Sequence, residues 1–179
     1  KGNKANEALI SRTSIIPVSY VLQTTEEVKI YETMLADAGL NEKKIAPETL
    51  RMLARFSVLT RLSNPSDGTS TSWEAKLRLY DGESLKRTDP NAKPLHEYRD
   101  DAGVREGMSG FSTRDAFKVL SGTFNFDPED DGANPVHLLQ VLEEKIKKGQ
   151  YDTETEKRYI GVFVKEIITP YFIECIGKT

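Results

Sequence analysis

Helix start and stop signals recur along this chain and constrain its fold more than any other feature. Thr24-Thr-Glu-Glu27 reads as a capping box, with Val28, Tyr31 and Leu35 following at helical spacing and Gly39 as a stop. Pro47 suits the first position of a second helix, in which Leu50, Leu53, Ala54 and Val58 share a face. Asn134-Pro135 is another cap-and-proline start; Leu138, Leu139, Leu142 and Ile146 continue it and Gly149 ends it. Asp152 or Thr153 opens a last helix carrying Tyr159, Ile160, Phe163, Val164 and Ile167, which Pro170 should kink or end. Such a chain is expected to be mainly α, with one or two short strands.

Strand signals are few. Ser14-Ile-Ile-Pro-Val18 reads as a short strand that Pro17 confines to a sheet edge, and residues before about Thr24 are expected to pack poorly. Trp73, Ala75, Leu77 and Leu79 alternate with polar neighbours and Tyr80, which favours a half-buried strand; a helix using Trp73, Leu77 and Tyr80 is the alternative. Ser63–Ser72 is a polar loop, and the turn-rich stretch Asp81–Gly110 has room for one short helix around His96–Asp101.

Composition excludes several functions. The 179 residues carry 25 Lys+Arg against 28 Asp+Glu, a charge of −3 that argues against phosphate neutralisation on nucleic acid. The longest apolar runs, such as Ile160–Val164, are four or five residues, so no membrane span is expected. Cys175 stands alone, which excludes an internal disulfide and multi-cysteine zinc sites and points to a reducing, cytoplasmic setting. It is expected to pack inertly on an apolar helix. The polar start Lys1–Glu7 has no apolar signal core, and the ends, without Met at the start and inside an apolar run at the close, read as cut from a longer protein.

The most informative stretch runs from Gly103 to Leu120. Gly103, Gly107 and Gly110 precede a helix whose start is marked by Ser112 as N-cap and Asp115 three residues on, with Ala116, Phe117, Leu120 and Phe124 as its buried stripe. Arg114 falls in the first turn, where the helix dipole disfavours a cation by roughly 0.3–1 kcal/mol. Two readings follow. Arg114 pairs with Asp115 or another carboxylate, or an anion docks at the helix end and meets both guanidinium and backbone amides.

Gly110-Phe-Ser-Thr-Arg114 at the start of a helix resembles the sensor-2 element in the lid of AAA+ ATPases. The runs Arg78–Leu85, Glu97–Gly103, Gly107–Arg114, Phe124–Phe126 and Asn134–Leu138 resemble one branch closely, the PrkA-type bacterial serine protein kinases. The resemblance implies a helical lid-like bundle preceded by the last helix and strand of an α/β core. Residues 1–23 would be the tail of that core, 24–125 the lid, and 126–179 the start of the family's C-terminal region. It implies that Arg114, with Ser112 and Gly110, contacts a phosphate of ATP. It also implies that Arg12, in the run Asn6–Arg12, is an arginine finger acting on a neighbouring subunit's nucleotide. Ser11 precedes Arg12 where an acidic residue would be expected, and without the resemblance Arg12 is a surface arginine at a helix C-terminus. The parent would use ATP and Mg, phosphorylate serine on a protein substrate and form a homo-oligomer. A remodelling or protease-linked ATPase is the alternative, and a non-enzymatic helical interaction module the third.

Other motifs fall short. Gly177-Lys-Thr179 imitates the end of a phosphate-binding loop, but Phe172 occupies the first glycine position, so this chain alone is not expected to be active. Tyr98-Arg-Asp100 echoes a kinase catalytic loop, but Arg105 stands where the metal-binding Asn belongs. Asp127–Gly132 resembles half a calcium loop whose twelfth position is Leu138 instead of Glu, and is expected to be a solvated acidic turn. His96 and His137 have no partners at metal-ligand spacing, and Lys145, Lys147 and Lys148 complement the dipole at a helix end.

Overall fold

In the computed structural model, which describes residues 13–14, 16–40, 42–87, 93–129 and 132–177, the chain is mainly helical. Helix α1 (Thr24–Asp37) packs on α2 (Thr49–Arg61), and a two-residue strand β1 (Lys44–Ile45) lies between them in sequence. Then follow α3 (Ser70–Tyr80), α4 (Leu95–Ala102), α5 (Thr113–Phe124), strand β2 (Gly132–Ala133) and α6 (Pro135–Lys148). A last helical run joins α7 (Thr153–Lys157), a π-helical segment Arg158–Ile168 and α8 (Thr169–Gly177). No helix among the described residues is long and apolar enough to cross a membrane.

The sequence Met52–Arg61 is buried on every side, which makes α2 the axis of the fold. Phe56 meets Phe111 and Tyr159 edge-on at 5.4 and 5.7 Å, and Trp73 meets Phe163 at 4.9 Å, so α2, α3 and the π segment share one aromatic core. That core includes Leu120 as well as Leu138, Leu142 and Ile146, and so continues across the 125/126 boundary.

The expected strand at Ser14–Val18 is not formed among its described residues, where Ile16 and Val18 stay 79% and 84% exposed. An isolated extended segment has no ladder to satisfy its backbone. The sheet that does form pairs β1 with β2 in parallel, Lys44 opposite Gly132 and Ile45 opposite Ala133. Trp73–Tyr80 is helix, the alternative reading. Thr69 Oγ1 accepts from the Ser72 amide at 3.2 Å, and Trp73, Lys76, Leu77 and Tyr80 form one buried face. The alternation misled because Lys76, polar by type, is the inward residue, paired with Glu106 at 2.8 Å.

The capping box at Thr24–Glu27 is replaced by tertiary contacts. Asp81, at the end of α3, accepts from the amides of Thr24 and Thr25 at 2.5 and 3.3 Å. Glu27 turns inward instead of back to the helix end, and forms a two-pronged ion pair with Arg61, both contacts at 2.7 Å. Pro47 lies two residues ahead of α2, because Glu48 adopts a left-handed conformation (φ 65°) and accepts from the Tyr171 hydroxyl at 2.5 Å. Pro170 does not end the last helix. The π segment stops just before it, the Thr169 hydroxyl donates to Val164 O at 2.8 Å, and the helix continues to Gly177. Cys175 is half-buried rather than sealed in a core.

Removing the Glu27 carboxylate leaves an uncompensated buried cation, so Glu27→Ala should lower unfolding free energy by about 3–5 kcal/mol. Glu27→Gln, which keeps one acceptor, should lose less. Urea denaturation of the three proteins measures the order.

Candidate functional site

The glycine-rich segment Gly107–Ser112 is built onto the C-terminal end of α2. The Gly107 amide donates to Arg61 O at 3.0 Å, and the Phe111 amide donates to Thr60 Oγ1 at 2.8 Å. Between them Gly110 sits at φ 118°, and a β-carbon there would come within 2.6 Å of Thr60 O. Backbone conformation and close approach both require glycine at this point. From outside, the Tyr20 amide donates to Gly107 O at 2.8 Å, so the chain entering α1 runs along the same segment.

Arg61 binds these pieces together. Besides the Glu27 pair, its Nε donates to Phe111 O and its Nη1 to Val21 O, both at 3.0 Å, and its guanidinium lies 4.7 Å from the Tyr20 ring centre. The Arg61 side chain is 0% exposed and that of Glu27 1%, so the charge is supported entirely from within.

Ser112 is the N-cap of α5, as its spacing from Asp115 predicts. Its Oγ accepts from the Asp115 amide at 3.1 Å and donates to Asp115 Oδ2 at 2.6 Å. That bond from Ser112 is the main reason the Asp115 carboxyl titrates below the usual carboxylate range, and the charges of Lys145 and Lys118 act the same way, against partial burial. Lys118 and Lys145 lie 3.7 and 3.6 Å from Asp115 Oδ1. Arg114, one residue earlier, is exposed and makes no ion pair among the described residues. Arg114 is thus an exposed arginine in the first turn of α5, the turn whose leading amides have no intrahelical acceptor.

The sequence-predicted site residues at the start of α5 differ in role. Gly110, Ser112 and Arg114 are successive parts of one helix entrance: the first is fixed by close approach, the second is engaged as a cap, and the third is exposed with no ion pair among the described residues. Arg12 lies outside the described residues. A cleft of about 410 Å³ opens beside the entrance, with Ser63, Ser109, Gly110, Tyr151 and Arg158 among its lining. Arg158 Nη1 there donates to Asn64 Oδ1 at 3.0 Å. Among the described residues no group of three His, Cys, Asp or Glu side chains could hold a metal ion. His137 instead stacks 4.6 Å from Phe126 and meets Asn134 Nδ2 at 3.0 Å.

Sequence reasoning missed Arg61 and Glu27. The available signal was a lone cation closing the otherwise uncharged run Phe56–Thr60, where burial demands a partner.

Residues 1–69 match the PrkA AAA domain, and residues 75–178 match the PrkA serine protein kinase C-terminal domain. The chain belongs to the PrkA family. It is 50% identical over 178 residues to the serine/threonine kinase YeaG of Escherichia coli strain K12, covering 99% of this chain and 27% of that protein. It is 36% identical over 160 residues to the ATP-dependent protease PrkA of Bacillus subtilis strain 168, covering 89% of this chain and 25% of that one. The chain thus spans about a quarter of the length of these PrkA relatives. No solved structure matches it.

Removing the Ser112 hydroxyl should cost about 1 kcal/mol of stability, as loss of an N-cap does. The lowered Asp115 value adds stability that is present above the unfolded carboxylate value of about 3.9 and is lost as pH falls through the folded value. Ser112→Ala should therefore also flatten the acid side of the stability curve below about pH 4, which thermal melts across acid and neutral pH would reveal.

Proposed function

We propose that this chain supplies the lid side of an ATP site in a PrkA-type serine protein kinase, with Arg114 as the group that meets the terminal phosphate. The observation that carries the reading is the division of charge at the start of α5. Asp115 is occupied by Ser112, Lys118 and Lys145, and Arg114 is left exposed next to the first-turn amides. A cation there opposes the helix dipole when nothing is bound, and becomes favourable once a phosphate docks. Phosphoryl transfer spreads negative charge over the transferred group, and a bidentate guanidinium stabilises that charge without breaking any bond of its own. Gly110 and Ser112 frame the helix end and set where the guanidinium stands.

In the same proposal Arg12 acts in trans as an arginine finger within a cytoplasmic homo-oligomer. Residues 1–23 end the ATPase core, 24–125 form a lid that takes in the first part of the stretch matching the C-terminal domain, 75–125, and 126–179 are the start of the separate C-terminal region. ATP supplies the phosphoryl group, and Mg accompanies its phosphates. The phosphate loop comes from outside this chain, which alone is inactive. The substrate is a protein carrying serine; nucleic acid and membrane are not partners.

A second reading keeps the ATP site and couples it to proteolysis. It is favoured by the name of the Bacillus subtilis relative, an ATP-dependent protease. Labelled phosphate appearing on a protein substrate supports the kinase, and ATP-dependent loss of the substrate supports the protease.

In the full-length protein, Arg114→Ala should lower ATP turnover about 10²-fold, the scale of one lost transition-state donor, while stability stays within about 0.5 kcal/mol. Unchanged ATPase kinetics would remove Arg114 from the site.

A further inference from the structure

We propose that Arg61 is a positioning residue for the phosphate-facing end of α5: its guanidinium locks the strap Ser19–Leu22 against the loop Gly107–Phe111 and so fixes where Arg114 is presented. The inference rests on the sensor reading of Arg114 given above.

Four of the five guanidinium N–H groups are assigned, and to three separate segments: Val21 O on the strap, Phe111 O on the loop, and both Glu27 oxygens on α1. The backbone of the same residue adds a fourth tie, because Arg61 O accepts from the Gly107 amide. Gly107 O in turn accepts from the Tyr20 amide, so strap, loop and α2 form one closed circuit of hydrogen bonds. Tyr20 covers the open face of the guanidinium. Phe111 is followed directly by the cap residue Ser112, whose bonds to Asp115 leave little freedom before Arg114. A displacement of the strap therefore reaches Arg114 through Arg61 and two short stretches of constrained backbone.

Cohesion alone does not explain the arrangement. Buried ion pairs are often replaced by apolar residues with no loss of stability. A planar fork that joins three segments supplies fixed geometry, which a point charge such as Lys cannot reproduce.

The test uses Arg61→Lys in the full-length protein. Lys retains a charge for Glu27 but cannot also reach Phe111 O and Val21 O in the same fork. Gly107→Ala is the second variant, and it carries the test should Arg61→Lys fail to fold. Its β-carbon would stand 3.1 Å from Ser19 Cβ and 3.3 Å from Leu22 Cδ2 at a backbone φ of 75°, which presses strap and loop apart while removing no atom of the ion pair. Two readouts are taken: amide hydrogen exchange across residues 107–115, and the ratio of ATP to ADP affinity.

Arg61→Lys should speed exchange in that segment at least about tenfold, the change expected when a charge-assisted hydrogen bond is lost, and Gly107→Ala, which displaces the strap sterically, should speed it in the same direction. Each should also lose much of the preference for ATP over ADP, and Arg61→Lys combined with Arg114→Ala should be no worse than Arg114→Ala alone. Folded variants that keep the wild-type preference, or losses that add in the double mutant, overturn the proposal. If Arg114→Ala alone leaves the preference intact, the sensor reading falls and this inference falls with it. If Arg114→Ala is impaired and Arg61→Lys is not, only the positioning role is lost.

Discussion

A guanidinium taken out of water at the end of a fully buried helix must find acceptors for nearly all of its protons, or the fold around it fails. Arg61 meets this requirement with Glu27, Val21 and Phe111, residues drawn from chain positions 21 to 111. Satisfying one side chain therefore fixes how the strap enters α1, how α1 lies on α2, and where the glycine-rich loop rests on the end of α2. The same principle recurs nearby. Lys76 is inside because Glu106 and the Ser63 carbonyl, 2.8 and 2.9 Å away, receive it. Arg55 pairs with Glu74 at 2.5 Å and lies 4.1 Å over the Tyr171 ring, while burial, followed by the neighbouring Glu48 carboxylate, keeps the Tyr171 hydroxyl above its usual titration range. The core is apolar, but the fixed geometry around it is set by these few polar contacts.

The entrance to α5 shows how such a frame can present a functional group. Gly110 is pressed against Thr60, Ser112 is spent on its own helix, and Asp115 is shared among three partners. Gly110, Ser112 and Asp115 each have a structural commitment, and Arg114 makes no ion pair among the described residues. A surface arginine without a carboxylate is common, but one set at the disfavoured end of a dipole by so many constraints is suited to an incoming anion. Membership of the PrkA family, in which an AAA domain is followed by a serine protein kinase C-terminal domain, is consistent with nucleotide phosphate as that anion. The two relatives carry different activity names, kinase and protease, and an ATP-sensing lid would serve either.

Much of this was legible in the sequence wherever a local rule decides alone. Ser112, Asn134 and Asp152 each cap the helix their spacing announces, because a cap needs only three adjacent residues. The short helix near His96 forms at Leu95–Ala102, and α6 ends at Gly149. Local rules failed where distant partners compete. Glu27 abandons a capping box for Arg61, and Asp81 caps α1 from 57 residues away. Trp73–Tyr80 satisfied two periodicities at once, and the ion pair of Lys76 chose the helix. Among the described residues the segment from Ser14 has no strand beside it, and Pro170 is accommodated by a π-helical stretch that no periodicity count foretells.

The sequence by itself determined the helical class, the positions of most helix starts, the family, and the cap that places Arg114 in a first turn, because each depends on spacing within a few residues. Tertiary structure alone decided that Arg114 makes no ion pair among the described residues, that Gly110 rests on Thr60, and that Arg61 joins strap, helix and loop. Those outcomes depend on which charges meet after burial, and desolvation acts on neighbours in space whatever their separation along the chain.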